Sequence, residues 1–164
     1  MDIALALKPY NDSCFPVLKR WITGSDMLFQ FAGTEFKYPI TKDQVFNYRV
    51  THTDRPWYMA YKDDEPVAFG ELIPQEGDVP RLARLLIGEQ TMRRRGIGVT
   101  FINLLIKECR RLFNSPAIEL YVWDGNLPAI RCYEKCGFSF LSRESISVMY
   151  NNKPYLIRKM RLEL

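Results

Sequence analysis

The chain has 164 residues, 47% hydrophobic and 26% charged, a length that corresponds to about one domain and buries roughly two thirds of the unfolded surface, so a core forms without disulfide or metal staples. An aromatic content of 13% argues against a disordered chain, and no apolar run approaches the roughly 18 residues of a membrane-spanning helix. Charge is uneven: residues 1–80 carry 8 basic and 12 acidic side chains and residues 81–164 carry 15 and 7, which points to an anionic partner for the second half, an unevenly charged solvated surface being the plain alternative.

Met1 to Lys8 lacks the basic n-region and cleavage site of a signal peptide, so a cytoplasmic protein is expected. Ile3 to Leu7, ending at Pro9, reads as a first strand. Asn11 or Asp12 caps a helix reaching Trp21, with Gly24 ending it. Short helices follow from Ser25 to Thr53, crowding Phe29, Phe31, Phe36 and Tyr38, and Thr41-Lys42-Asp43 opens the last of them. The period then changes. Trp57–Tyr61 and Val67–Ile73 form a hairpin around 62–66, and Arg81–Gly88 is a third strand of the same sheet. Val99 to Cys109 is an amphipathic helix, and Ile118–Trp123 is a strand. A helix opens at Leu127-Pro128-Ala129 and closes at Gly137. Phe138–Tyr150 and Pro154–Leu164 make a terminal hairpin. Strand, helix, strand, helix, strand between 81 and 145 requires a crossover, hence an α/β fold with a mixed, partly parallel sheet of about six to seven strands and helices on both faces. Without repeats or linkers, residues 1–164 read as one domain.

Four cysteines, Cys14, Cys109, Cys132 and Cys136, offer no C-x-x-C pair, and the one histidine, His52, sits in a polar stretch, so no metal site is expected and the thiols are read as buried and free. Gly96 and Gly98 lie between a strand and a helix, where several backbone N–H groups converge at the positive end of a helix dipole. Arg93, Arg94 and Arg95 add donors suited to phosphate oxygens. The string is neither G-x-x-x-x-G-K-[ST] nor a dinucleotide G-x-G-x-x-G, since Phe101 occupies the last position. A nucleic-acid groove also stays open, with Arg110 and Arg111 joining the three arginines, although the arginines hug one turn without interleaved aromatics. An arginine-rich helix start is the bland reading.

Arg93-x-x-Gly96-x-Gly98, after an apolar strand and before an amphipathic helix, resembles the acetyl-coenzyme A loop of the GNAT superfamily of N-acetyltransferases. Residues 120–138, with Asn126, Ala129, Tyr133 and Gly137-Phe138, resemble the strand, loop and helix that follow in that family. The resemblance covers residues 57–164 well and the first third loosely.

It implies an N-acetyltransferase that moves an acetyl group from acetyl-CoA, its cosubstrate, to a primary amine by direct attack, with a small-molecule or peptide acceptor and no nucleic acid, membrane or metal. A homodimer stays open, as does a non-catalytic acyl-CoA-binding or sensing protein of the same fold. Coenzyme contacts would come from Leu86, Ile87 and Gly88 on the strand, Arg93, Arg94, Arg95, Gly96, Ile97, Gly98 and Val99 in the loop, and Asn126, Ala129 and Tyr133 beyond. Gly88 stands where the family often has a branched residue. The pantetheine arm would lie in a gap between two splaying strands, and backbone N–H groups of Leu86 to Gly88 would serve the carbonyl oxygen. Tyr133 would protonate or hydrogen-bond the coenzyme sulfur, or else be an ordinary core aromatic. Asn126 would contact the coenzyme or simply cap a helix. Glu71, a carboxylate inside an apolar strand and hence of raised pKa, is the first choice of general base, with Glu119 or water as alternatives. Asp26, Phe29, Glu35, Trp57 and Tyr121 would line the acceptor site, or the aromatics among them would only build a core.

Overall fold

The computed structural model describes residues 3–75, 79–88 and 96–164, without the side chains of 142–144. The elements run β1 Ala6–Pro9, α1 Phe15–Trp21, α2 Ser25–Ala32, α3 Lys42–Thr51, β2 Trp57–Lys62, β3 Glu65–Ile73, β4 Arg81–Ile87, α4 Ile97–Leu112, β5 Ala117–Trp123, α5 Leu127–Lys135, β6 Ser139–Tyr150 and β7 Lys153–Glu163. Among the described residues the strands form one seven-stranded sheet in the order β1-β2-β3-β4-β5-β7-β6, with β4 and β5 parallel and every other neighbour antiparallel.

The local chemistry follows the sequence closely at the turns. Asp63 and Asp64 take φ of 49° and 66°, and Asn151 and Asn152 take 50° and 61°, the paired left-handed residues that a two-residue hairpin loop requires. At the other end β1 begins at Ala6 rather than Ile3 and extends to Pro9. It pairs with β2 alone, and proline is tolerated at the end of an edge strand, where no ladder bond is lost. Gly24 starts α2 as its N-cap instead of closing α1, and Gly33, at φ 59°, ends α2.

Two cores flank the sheet. Phe101, Leu105 and Cys109 of α4 and Ile130 and Tyr133 of α5 pack on Leu72, Leu82, Ile118 and Leu120. On the opposite face Leu18, Trp21, Leu28, Phe31 and Tyr48 of α1–α3 cover Trp57, Met59, Phe69 and Leu86. β3 is therefore buried on both sides. The thiols of Cys14 and Cys109 are buried and those of Cys132 and Cys136 partly so, all four free. Among the described residues no helix is long and apolar enough to cross a membrane, and no group of three or more histidine, cysteine or carboxylate side chains is placed to hold a metal.

Candidate active site

β4 and β5 form a fork. Although each has seven residues, they pair only at Arg81↔Glu119 and Leu82↔Leu120, while β5 pairs with β7 along its whole length. The fork opens where β4 is bulged. Phe69 faces Leu86 and Glu71 faces Ala83, so Arg84 and Leu85 together oppose the single residue Gly70. Arg84 takes φ 48°, the left-handed value that lets one strand hold an extra residue. A bulge bends its strand and increases local twist, which carries the end of β4 away from β5.

The bulge also reverses parity. With a strict period of two, Arg84 would follow Leu82 onto the apolar face beneath α4; instead Ala83 and Arg84 both serve the face beneath α2 and α3. There the Arg84 guanidinium lies 4.6 Å over the Tyr48 ring and forms an ion pair with Glu71. Gly70 makes room on the other face: a Cβ there would meet Leu105 Cδ1 at 2.8 Å, Phe101 Cζ at 3.0 Å and Leu85 Cδ2 at 3.3 Å.

The apolar run around Glu71 predicts an isolated carboxylate; the structure corrects that environment. Glu71 is fully buried, accepts a hydrogen bond from Trp57 Nε1 at 2.7 Å and is clamped by Arg84 Nη1. An unpartnered carboxylate at this depth would cost more than the fold can supply, so donors gather around it. Tyr48 belongs to the same cluster: burial and then its hydrogen bond with Glu71 push its phenol up to about 12, and it accepts from Arg55 Nη1 at 2.9 Å. Arg81 lies beside them, 5.0 Å over the Tyr121 ring, and burial holds its guanidinium below the usual arginine range. Tyr121 is half-exposed at the surface of this face, and Glu119 next to it binds Lys159 and Arg161, each at 3.7 Å.

On the coenzyme side of the fork, Gly88 donates its N–H to Val67 O at 2.7 Å, so that group is committed to β3. The period of two puts Leu86 on the same side and turns the peptide groups of Ile87 toward the fork. This revises the expectation for Gly88 and narrows the main-chain candidates. Gly88 has another role: a Cβ on it would lie 2.5 Å from Cε2 of the Trp21 indole, whose buried Nε1 has no hydrogen-bond partner among the described residues. Gly96, at φ 78°, caps α4 without a side-chain bond, leaving the amides of Ile97, Gly98 and Val99 at the helix start without intrahelical acceptors. Gly98 lets α5 approach so that a Cβ there would sit 3.1 Å from Cys132 Sγ, and Cys136 Sγ lies 3.7 Å from Val99 O. Arg93, Arg94 and Arg95 fall outside the described residues.

Tyr133 projects from α5 into the core shared with α4, edge-on to Phe138 with ring centroids 6.3 Å apart. Burial, then the neighbouring Cys132 and Cys136, push its phenol well above the usual tyrosine range. Asn126 caps α5 by accepting from Ala129 N at 3.4 Å. Phe29 of α2 stacks on Tyr150 at 4.2 Å and packs 5.1 Å from Tyr155, which in turn meets Trp123 at 5.2 Å. An aromatic wall thus joins α2 to the terminal hairpin. Trp57 is buried against Glu71, whereas Asp26 and Glu35 are exposed.

The sequence model described as the acetyltransferase (GNAT) family matches residues 22–138. The chain belongs to that family. Among solved structures, the spermidine N-acetyltransferase of Vibrio cholerae, in complex with CoA and spermine, superposes with a TM-score of 0.80 at 15% identity, covering 97% of this chain and 95% of that one. Ribosomal-protein-alanine N-acetyltransferase from Brucella melitensis gives 0.77 at 14% identity, with 97% and 99% covered. An aminoglycoside acetyltransferase in complex with coenzyme A gives 0.75 at 17%, with 98% and 95% covered. At these identities the superpositions show a shared fold alone. Arg81, Arg84, Tyr48 and Trp21 were missed by the sequence reading. Two arginines three apart in an apolar strand are the signal that a bulge keeps both off the apolar face beneath α4.

Proposed function

We propose that this GNAT protein, as one domain over residues 1–164, transfers an acetyl group from acetyl-CoA to a primary amine of a small molecule or peptide. The observation that carries the reading is the β4–β5 fork: two parallel neighbours that pair at two positions and then part beside the bulge leave a slot for an extended arm. The amides of Ile97, Gly98 and Val99 at the start of the 16-residue α4 suit a diphosphate, with Arg93, Arg94 and Arg95 as further donors on sequence grounds. The cosubstrate supplies an activated thioester. The chain's own groups hold it and handle the proton.

The peptide groups of Ile87 are turned toward the slot while those of Leu86 face β3, and Asn126 and Ala129 stand at the start of α5. Tyr133, kept protonated by burial, is the donor to the departing sulfur. Glu71, with its carboxylate clamped and away from solvent, fixes Arg84 and the bulge, and the amine loses its proton to water. Tyr121, Phe29 and the neighbouring aromatics border the acceptor, with Asp26, Glu35 and Trp57 as outer and inner members of that wall.

Tyr133→Phe tests the assignment. Thiol release from acetyl-CoA should fall about 100-fold, within the range of a lost proton donor, while the rise in melting temperature caused by coenzyme A stays within a degree of wild type. An unchanged rate would return Tyr133 to the core as an ordinary aromatic.

A further inference from the structure

The face of the fork that the acceptor would use is cationic and has donors to spare. Arg55, Arg81 and Arg84 converge on one carboxylate, Glu71, and that carboxylate already accepts from Trp57 and from Arg84. Glu119, the other acid of this face, is engaged by Lys159 and Arg161. Among the described residues Arg81 makes no ion pair, and Tyr121 is the only ring it lies over. Among the described residues the Nε atoms of both Arg81 and Arg84 are buried without a hydrogen-bond partner. Buried donors are rarely left unmet, because each costs its full desolvation when unpaired. A guanidinium with open N–H groups, held over an aromatic ring at the edge of a site, presents the fork that matches an oxyanion.

We propose that Arg81, backed by Arg84, binds an oxyanion carried by the acceptor, so that the preferred acceptor is an amine bearing a carboxylate or phosphate group. The inference rests on the transferase reading and adds the acceptor's chemical class to it. Arg84 is neutralised by Glu71 and contributes one N–H; Arg81 supplies the free charge. A polycationic amine meets net positive charge on this face and gains nothing from these two groups.

The test is acetyl transfer measured by thiol release with matched pairs: glycine, β-alanine, L-methionine and L-glutamate each against its amide, phosphoethanolamine against ethanolamine, and spermidine alone. At least one acid should exceed its uncharged partner by tenfold or more in kcat/KM. The pair in which the gap is widest tells carboxylate from phosphate. Arg81→Gln should then raise KM for that acid by tenfold or more, leave kcat and its amide within twofold, and collapse the gap; Arg81→Lys should keep part of it. Wild-type melting temperatures for both variants show that the fold is intact. Transfer to amides, ethanolamine or spermidine as fast as to the acids overturns the inference and leaves the transferase reading standing, and so does an Arg81→Gln variant with the gap undiminished. No thiol release with any amine, while coenzyme A still raises the melting temperature, overturns the transferase reading and the acceptor class together.

Discussion

Glu71 and Arg84 hold each other where neither would be tolerated alone, because the carboxylate is wholly buried and the arginine side chain is only 11% exposed. Glu71→Gln therefore strands a buried guanidinium charge. Urea unfolding should show a loss of about 3–5 kcal/mol, and adding Arg84→Met should restore much of it, since removing both partners leaves no uncompensated charge. A single variant as stable as wild type would show that the pair contributes nothing to the fork. The thiols divide in the same physical way. Burial pushes Cys109 up to about 12, whereas the hydrogen bond from Cys136 holds Cys132 below the usual thiol range against the opposing effect of burial. Alkylation follows the thiolate fraction. Iodoacetamide at pH 7.5 should modify Cys132 first and leave Cys109 untouched in the native state, as read by peptide mass; equal labelling of both would contradict the environments described.

At the scale of elements, the sheet and its helices are legible because periodicity and turn chemistry are local. The aspartate and asparagine turns, the proline start of α5 and the glycine before α4 each state their conformation in a few residues. The β4 bulge is different: it exists only relative to β3, and Arg84 looks like an ordinary interruption until Glu71 is placed opposite. For the same reason the sequence named Glu71 but gave it solitude, and assigned Gly88 an acceptor that Val67 already supplies. Gly70 is the point where the bulge meets α4. Gly70→Ala forces Leu105, Phe101 and Leu85 outward together, an overpacking cost of about 1–3 kcal/mol. Activity should fall with stability, because relief comes most easily by moving β4. A variant as stable as wild type, measured by thermal unfolding, would mean that α4 does not press on the sheet as described.

At the scale of the whole molecule, the two halves of the sheet are joined along β4–β5 by two residue pairs, and otherwise through the core that α4 and α5 share with both. A ligand seated in the slot and on the start of α4 adds a bridge that the free protein lacks, and it binds only the folded state. Coenzyme A at a hundred times its dissociation constant should then add about 2.7 kcal/mol, which for a chain of this length is a rise of about 5–10 °C in melting temperature. The same addition should slow amide exchange of the segment from Gly96 to Thr100, whose first amides have no acceptor within α4. ATP, NAD and an oligonucleotide serve as comparisons: ATP and NAD carry phosphates without the pantetheine arm, and the oligonucleotide carries a salt-sensitive polyanion. An equal shift with ATP would assign the binding to the helix start alone. An equal shift with the oligonucleotide that vanishes in salt would restore the nucleic-acid reading. Only a response confined to coenzyme A engages both the diphosphate cradle and the fork, because no other probe of the set spans from one to the other.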